Sequence, residues 1–112
     1  IDVSKLKVPK AEGPDARTIE EIFAQKDSLK AKRVVVRGVV VKYSAGIMGK
    51  NWIHLRDGSG SDAKKNNDIT ITTISASAKG ETVVVTGTIA TNVDIGAGYN
   101  YPVLIEDASV AK

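Results

Sequence analysis

The sequence contains no cysteine and only one histidine, one tryptophan and one phenylalanine among its 112 residues. Without cysteine there is no disulfide, no thiolate metal site and no cysteine nucleophile. The single histidine, His54, has no carboxylate at ligand spacing on its own strand face. It therefore reads as a structural or surface residue rather than one of the three or four ligands a metal needs. No Gly-x-Ser-x-Gly occurs, and one histidine leaves little for a catalytic triad. Asp57-x-Ser59-x-Ser61 with Asp68 imitates a calcium loop, but Asp62 stands where glycine is required, and Lys64 and Lys65 add repulsion. Gly96-x-Gly98 lacks the third glycine and the strand-to-helix setting of a dinucleotide site. No apolar run approaches the roughly eighteen residues of a spanning helix. These absences point away from an enzyme. No catalytic residue, metal or cofactor is expected.

What is present suits one folded domain. Apolar residues make up 42% and charged residues 26%, ordinary values for a globular chain. The charge signs nearly balance, 16 Lys and Arg against 13 Asp and Glu, for a net +3. That excess permits anionic partners without demanding them. The chain opens on Ile1 rather than Met, which reads as a fragment or a processed chain, so that any export signal would already be gone.

Residues 1–17 carry Pro9, Gly13 and Pro14 among charges with no apolar period, and read as a loose N-terminal arm. Thr18-Ile-Glu-Glu21 is a capping box. Ile19, Ile22 and Phe23 then recur at helical spacing, predicting a short helix over about 19–27 that plugs one end of a core. Strands follow at Arg33–Tyr43, Trp52–Arg56, Asp68–Thr73, about 83–89 and Tyr101–Glu106. The first and fourth echo each other, Val34-Val-Val-Arg-Gly-Val-Val40 against Val83-Val-Val-Thr-Gly-Thr-Ile89. Each is a long strand that bends at a central glycine. Ile69 and Ile71 alternate with Thr70 and Thr72, as in a half-buried strand. Five short strands and one N-terminal helix predict an all-β fold, a five-stranded Greek-key barrel over 18–112. Its core is expected to hold Val34, Val36, Val40, Ile53, Leu55, Ile69, Ile71, Val83, Val85 and Ile89.

Two stretches carry a family resemblance. Val34-x-Val36-x-Gly38-x-Val40 followed by Trp52-Ile-His-Leu-Arg-Asp57-x-x-Gly60 resembles the OB-fold anticodon-binding barrels of class II aminoacyl-tRNA synthetases. In those, the aromatic at the place of Trp52 stacks on a base. This chain has Ser44-Ala-Gly-Ile-Met-Gly49 where they carry an arginine-rich loop, and it inserts a polar loop, 61–68, before the third strand. Gly46-Ile-Met-Gly-Lys-Asn-Trp52, Asp68-Ile-Thr-Ile-Thr-Thr73, Gly96-Ala-Gly-Tyr99 and Leu104-Ile-Glu-Asp-Ala108 are similar to a group of small exported bacterial OB-fold proteins. Those accompany multihaem cytochrome and respiratory reductase systems, and the resemblance implies a periplasmic or otherwise exported protein.

Two binding functions follow as expectations. One is an OB-fold module for single-stranded nucleic acid or nucleotide. The other is an exported protein-interaction module whose partner belongs to a cytochrome or respiratory reductase system. Both use the same surface, between loops 44–51 and 92–99. Strand parity puts Tyr43 on the outward face with Arg37, and Trp52 on the outward face with Arg56. With Lys50, Tyr99 and Tyr101 these form the expected ligand-binding face. Flat side chains there stack on bases, and Lys42, Lys50 and Arg56 are placed nearby to hold phosphates.

Overall fold

A computed structural model describes residues 5–96 and 98–112, so residues 1–4 of the expected arm, and Ala97, lie outside the described chain. Two short helices, α1 (Ile19–Ala24) and α2 (Lys26–Leu29), precede five strands. The strands are β1 (Arg33–Ile47), β2 (Lys50–Arg56), β3 (Ile69–Thr73), β4 (Thr82–Gly96) and β5 (Tyr99–Ala111). They run in the order β1-β2-β3-β5-β4, with β4 returning to β1 to close a barrel. All neighbours are antiparallel except β3 and β5, which are parallel. No helix among the described residues is long and apolar enough to cross a membrane.

Closure depends on β1 serving two neighbours. Arg33 to Val39 pairs with β4, and Val39 onward pairs with β2. Gly38 lies at the changeover, where the next strand passes close. A Cβ there would stand 2.6 Å from Leu55 Cγ and 2.8 Å from the Arg56 carbonyl oxygen. Gly87, its counterpart in β4, would meet Ile105 Cγ2 at 2.5 Å. The two echoing glycines thus mark close approaches to β2 and β5. The ten residues expected in the core all join one buried cluster with Ile19, Ile22, Val103 and Ile105.

β3 departs from its alternating pattern. All five of its residues are buried, Thr70, Thr72 and Thr73 included. The outward threonines lie beside larger side chains of β2 on the same face, Thr70 opposite His54 and Thr72 opposite Trp52, which shield them. Thr73 Oγ1 donates to the Ala108 carbonyl at 2.6 Å.

The capping box forms. Thr18 Oγ1 accepts from the Glu21 N–H at 3.1 Å, and Glu21 Oε1 accepts from the Thr18 N–H at 2.9 Å. That backbone bond, together with Lys10, whose ammonium is 2.9 Å away, holds the Glu21 carboxyl below the usual carboxylate range. Ile19 and Ile22 are fully buried and close the core, with Leu29 of α2 beside them. Phe23 is half-buried and packs at the margin of the cluster rather than within it. A six-residue helix points only a narrow stripe inward, so its third apolar residue falls at the rim.

Asp57 holds the helix to the barrel. Its buried carboxylate accepts from the Ile19 N–H at 2.9 Å, the Ser59 N–H at 2.9 Å and the Ser59 hydroxyl at 2.6 Å. Its carbonyl accepts from the Val8 N–H at 3.2 Å. The stretch expected to be a loose arm therefore lies along the barrel. Arg17 N–H donates to the Val35 carbonyl and Val35 N–H to the Asp15 carbonyl, each at 3.0 Å, and Ala11 and Ala16 are buried. Backbone hydrogen bonds and two small side chains suffice to hold it, and neither has an apolar period to announce it.

Two outcomes test this architecture. Gly38→Ala should destabilise by about 1–3 kcal/mol in urea unfolding, because the new methyl meets the Arg56 backbone, which cannot give way as a side chain can. Asp57→Ala should cost about 1.5–3 kcal/mol, because it leaves the buried Ile19 N–H without its acceptor. An unchanged midpoint in either variant contradicts the corresponding contact.

Candidate binding groove

Beyond the barrel, β1 and β2 continue as a hairpin, and so do β4 and β5. Ile47 pairs with Lys50, leaving Met48 and Gly49 as a two-residue turn with φ of +53° and +76°. Positive φ at both central residues matches the twist of the flanking strands. At the other tip, Gly96 pairs with Tyr99. Both ribbons run past the apolar residues that marked the strands in the sequence. They are held by cross-strand backbone bonds instead of by burial.

Between the two tips, on the outer face of β2, lies a groove of about 380 Å³. Trp52 and Tyr101 line it, their ring centroids 6.1 Å apart and inclined by 30°. Ile47, Met48, Ile95 and Tyr99 give it further apolar surface, and Lys42, Ser44 and His54 supply polar atoms. Ile47, Met48 and Tyr99 are 48%, 59% and 62% exposed.

Of the six residues expected on the ligand face, the groove brings together Trp52, Tyr99 and Tyr101. Trp52 faces outward but is only 9% exposed, and its indole N–H donates to the Ile47 carbonyl at 2.9 Å. The hairpin turn and Tyr101 cover it, so it offers a wall and not an open platform. Tyr101 shares parity with Val103 and Ile105, which fill the core. β3 joins β5 only from Leu104 on, so Tyr101 stands on the free part of the ribbon and meets Trp52. The same free edge accommodates Pro102.

The other three lie elsewhere. Tyr43 points inward and packs on the core. Val40 pairs with Leu55 but Lys42 with His54, so β1 carries one extra residue at Val41. This bulge reverses the alternation, putting Tyr43 opposite the core residue Ile53 and Lys42 on the outer face. Lys50 lines a neighbouring hollow with Thr72, Ile74 and Asp107. Arg56 is outward-facing but committed, its Nε 3.1 Å from Asp68 Oδ2, in a third hollow that also contains Asp62.

The residues that sequence reasoning left off this face are Ser44, His54 and Ile95, while Lys42, expected only as a phosphate-holding cation nearby, lines the groove itself. Lys42 and Ser44 follow from the bulge, which no apolar pattern signals. His54 Nδ1 lies 2.9 Å from Asp68 Oδ1, and Asp68 thus holds both His54 and Arg56. The signal for His54 was its parity with Trp52, two residues away. The acidic residues of the calcium-like stretch have other work, Asp57 at the helix and Asp68 beside the groove.

Trp52 is the only tryptophan, so its fluorescence reports on the groove directly. Acrylamide should quench it far less than a free indole, and Tyr101→Ala should restore access. Quenching as fast as in the unfolded chain would contradict the covered indole. No family model matches the chain, and no curated protein matches it either, so the chemistry of the groove stands on its geometry.

Proposed function

We propose that this barrel is of the OB type and that the chain is a binding module whose groove receives an apolar segment of a protein partner. The strand order β1-β2-β3-β5-β4, with β3 parallel to β5, supports the OB assignment. So does the groove's place, on β2 and between the β1–β2 and β4–β5 loops, where OB barrels hold their ligands. The resemblance to exported OB proteins adds the setting, a partner in a cytochrome or respiratory reductase system outside the cytoplasm.

Met48 carries the reading. It occupies a left-handed backbone position that Asn or Gly fills at little cost, and its side chain is 59% exposed. Neither backbone preference nor packing accounts for a methionine there. Strain and apolar exposure at one loop tip are what a recognition surface retains. Methionine also adapts its shape to an apolar partner. Ile47 and Tyr99 extend the same surface.

The nucleic-acid reading has less support from this geometry. Trp52 is covered, Arg56 is paired with Asp68, and Lys50 belongs to another hollow. Tyr99 is left as an exposed ring with Lys42 as its one neighbouring lysine in the groove. Backbone-tracking sites instead combine several cations with open stacking faces.

A photo-crosslinking side chain in place of Met48 should give a discrete protein adduct in the native cell, lost when Tyr99→Ser is added. Mixed-sequence single-stranded oligonucleotide at micromolar concentration and low salt should leave Trp52 emission unchanged. Quenching that added salt reverses would overturn the protein reading in favour of nucleic acid.

A further inference from the structure

The groove has one polar end, and its charge is not balanced from within. Lys42 and His54 are direct partners across β1 and β2 and both line it. Lys42 is exposed and forms no ion pair with another described residue. His54 lines the groove with its Nδ1 held 2.9 Å from the Asp68 carboxylate. Asp68 is itself compensated by Arg56, whose Nε is 3.1 Å from its second oxygen.

The two neighbouring hollows make the contrast. Lys50 shares its hollow with Asp107, and Arg56 shares its own with Asp62. Each cation there has a carboxylate in the same lining. Among the described residues, the groove's lining contains Lys42 and no carboxylate. Ser44, the cross-strand partner of Trp52, adds a hydroxyl on the same outer face. The remaining lining is apolar or aromatic, with Ile47, Met48 and Tyr99 open to solvent.

From this arrangement we infer that the partner segment presents an acidic side chain beside its apolar one. The carboxylate sits on the Lys42 ammonium with the Ser44 hydroxyl as a further donor, and the apolar side chain lies against Met48, Tyr99 and the edge of Trp52. This inference rests on the proposed binding role of the groove and adds the chemistry that the groove selects. A charge-assisted contact of this kind discriminates against the neutral counterpart about tenfold or more.

Two fluorescent probes separate the charge from the apolar body. Anilinonaphthalene sulfonate carries an anion on an aromatic frame, and N-phenyl-1-naphthylamine is the same frame without it. The anionic probe should bind the intact chain about tenfold more tightly than the neutral one. Lys42→Met should erase that difference, weakening the anionic probe relative to the neutral one. Lys42 is exposed, so the melting temperature of the variant should match that of the parent. Equal affinity of the two probes, or equal weakening of both by Lys42→Met, would overturn the inference and leave the apolar groove standing. Met48→Ser combined with Tyr99→Ser should weaken both probes. If it changes neither, the groove is not the site, and the inference falls together with the binding role beneath it.

Discussion

Everything in this fold turns on β1 having two partners. Its first half is paired with β4 and its second with β2, and the exchange takes place within one or two residues of Gly38. A side chain at that point would collide with Leu55 and the Arg56 backbone. The missing Cβ lets β2 cross closely enough to close the barrel, and closure is what buries the valines of β1 against those of β4. Once β1 has left β4 it continues with β2, which stays paired to β3 as far as Asn51, so only the turn end of this ribbon, around Ile47 and Lys50, projects beyond the sheet. One wall of the groove is a direct consequence. The opposite wall arises the same way, since β5 extends ahead of β3 and so leaves its first residues paired to β4 alone.

The bulge at Val41 then decides which side chains that ribbon offers. One unpaired residue exchanges inside for outside. The aromatic Tyr43 is spent on the core, and the charged Lys42 is delivered to the groove beside His54. The same device recurs in β5, where Asp107, at φ +52°, is passed over between the pairs Thr86–Ser109 and Thr88–Glu106. There it keeps Ala108 in the core. Bulges of this kind bend a strand and re-aim its side chains together. The curvature of the barrel and the composition of its outer face therefore have a common cause.

Asp57 shows how closely the loop after β2 is bound to the rest. In the sequence it belongs to a stretch resembling synthetase barrels, and it also imitates the start of a calcium loop. In the fold its carboxylate accepts from the first turn of α1, while its carbonyl takes a hydrogen bond from the arm. One residue thus fastens the helix that closes the barrel and the extended segment before it. One residue after Arg56, the barrel's last outward arginine, the Asp57 carboxylate serves the structure.

The sequence by itself determined the order of the strands, the capping box at Thr18, the coiling glycines and ten aliphatic members of the core. Those rest on local signals: periodicity, turn residues and the spacing of a cap to its glutamate. The sequence did not determine how far the ribbons extend, since hairpins held by backbone bonds need no apolar pattern. Nor did it reveal the bulge at Val41, because an extra residue in one strand exists only relative to its partner. Burial of Trp52 lay equally out of reach. Its parity was legible, but its cover comes from Ile47 and from Tyr101 some fifty residues on. Pairing of Arg56 and His54 with Asp68 required β2 and β3 to be side by side. Each of these belongs to contacts between distant segments, and such contacts come into being only when the chain closes on itself.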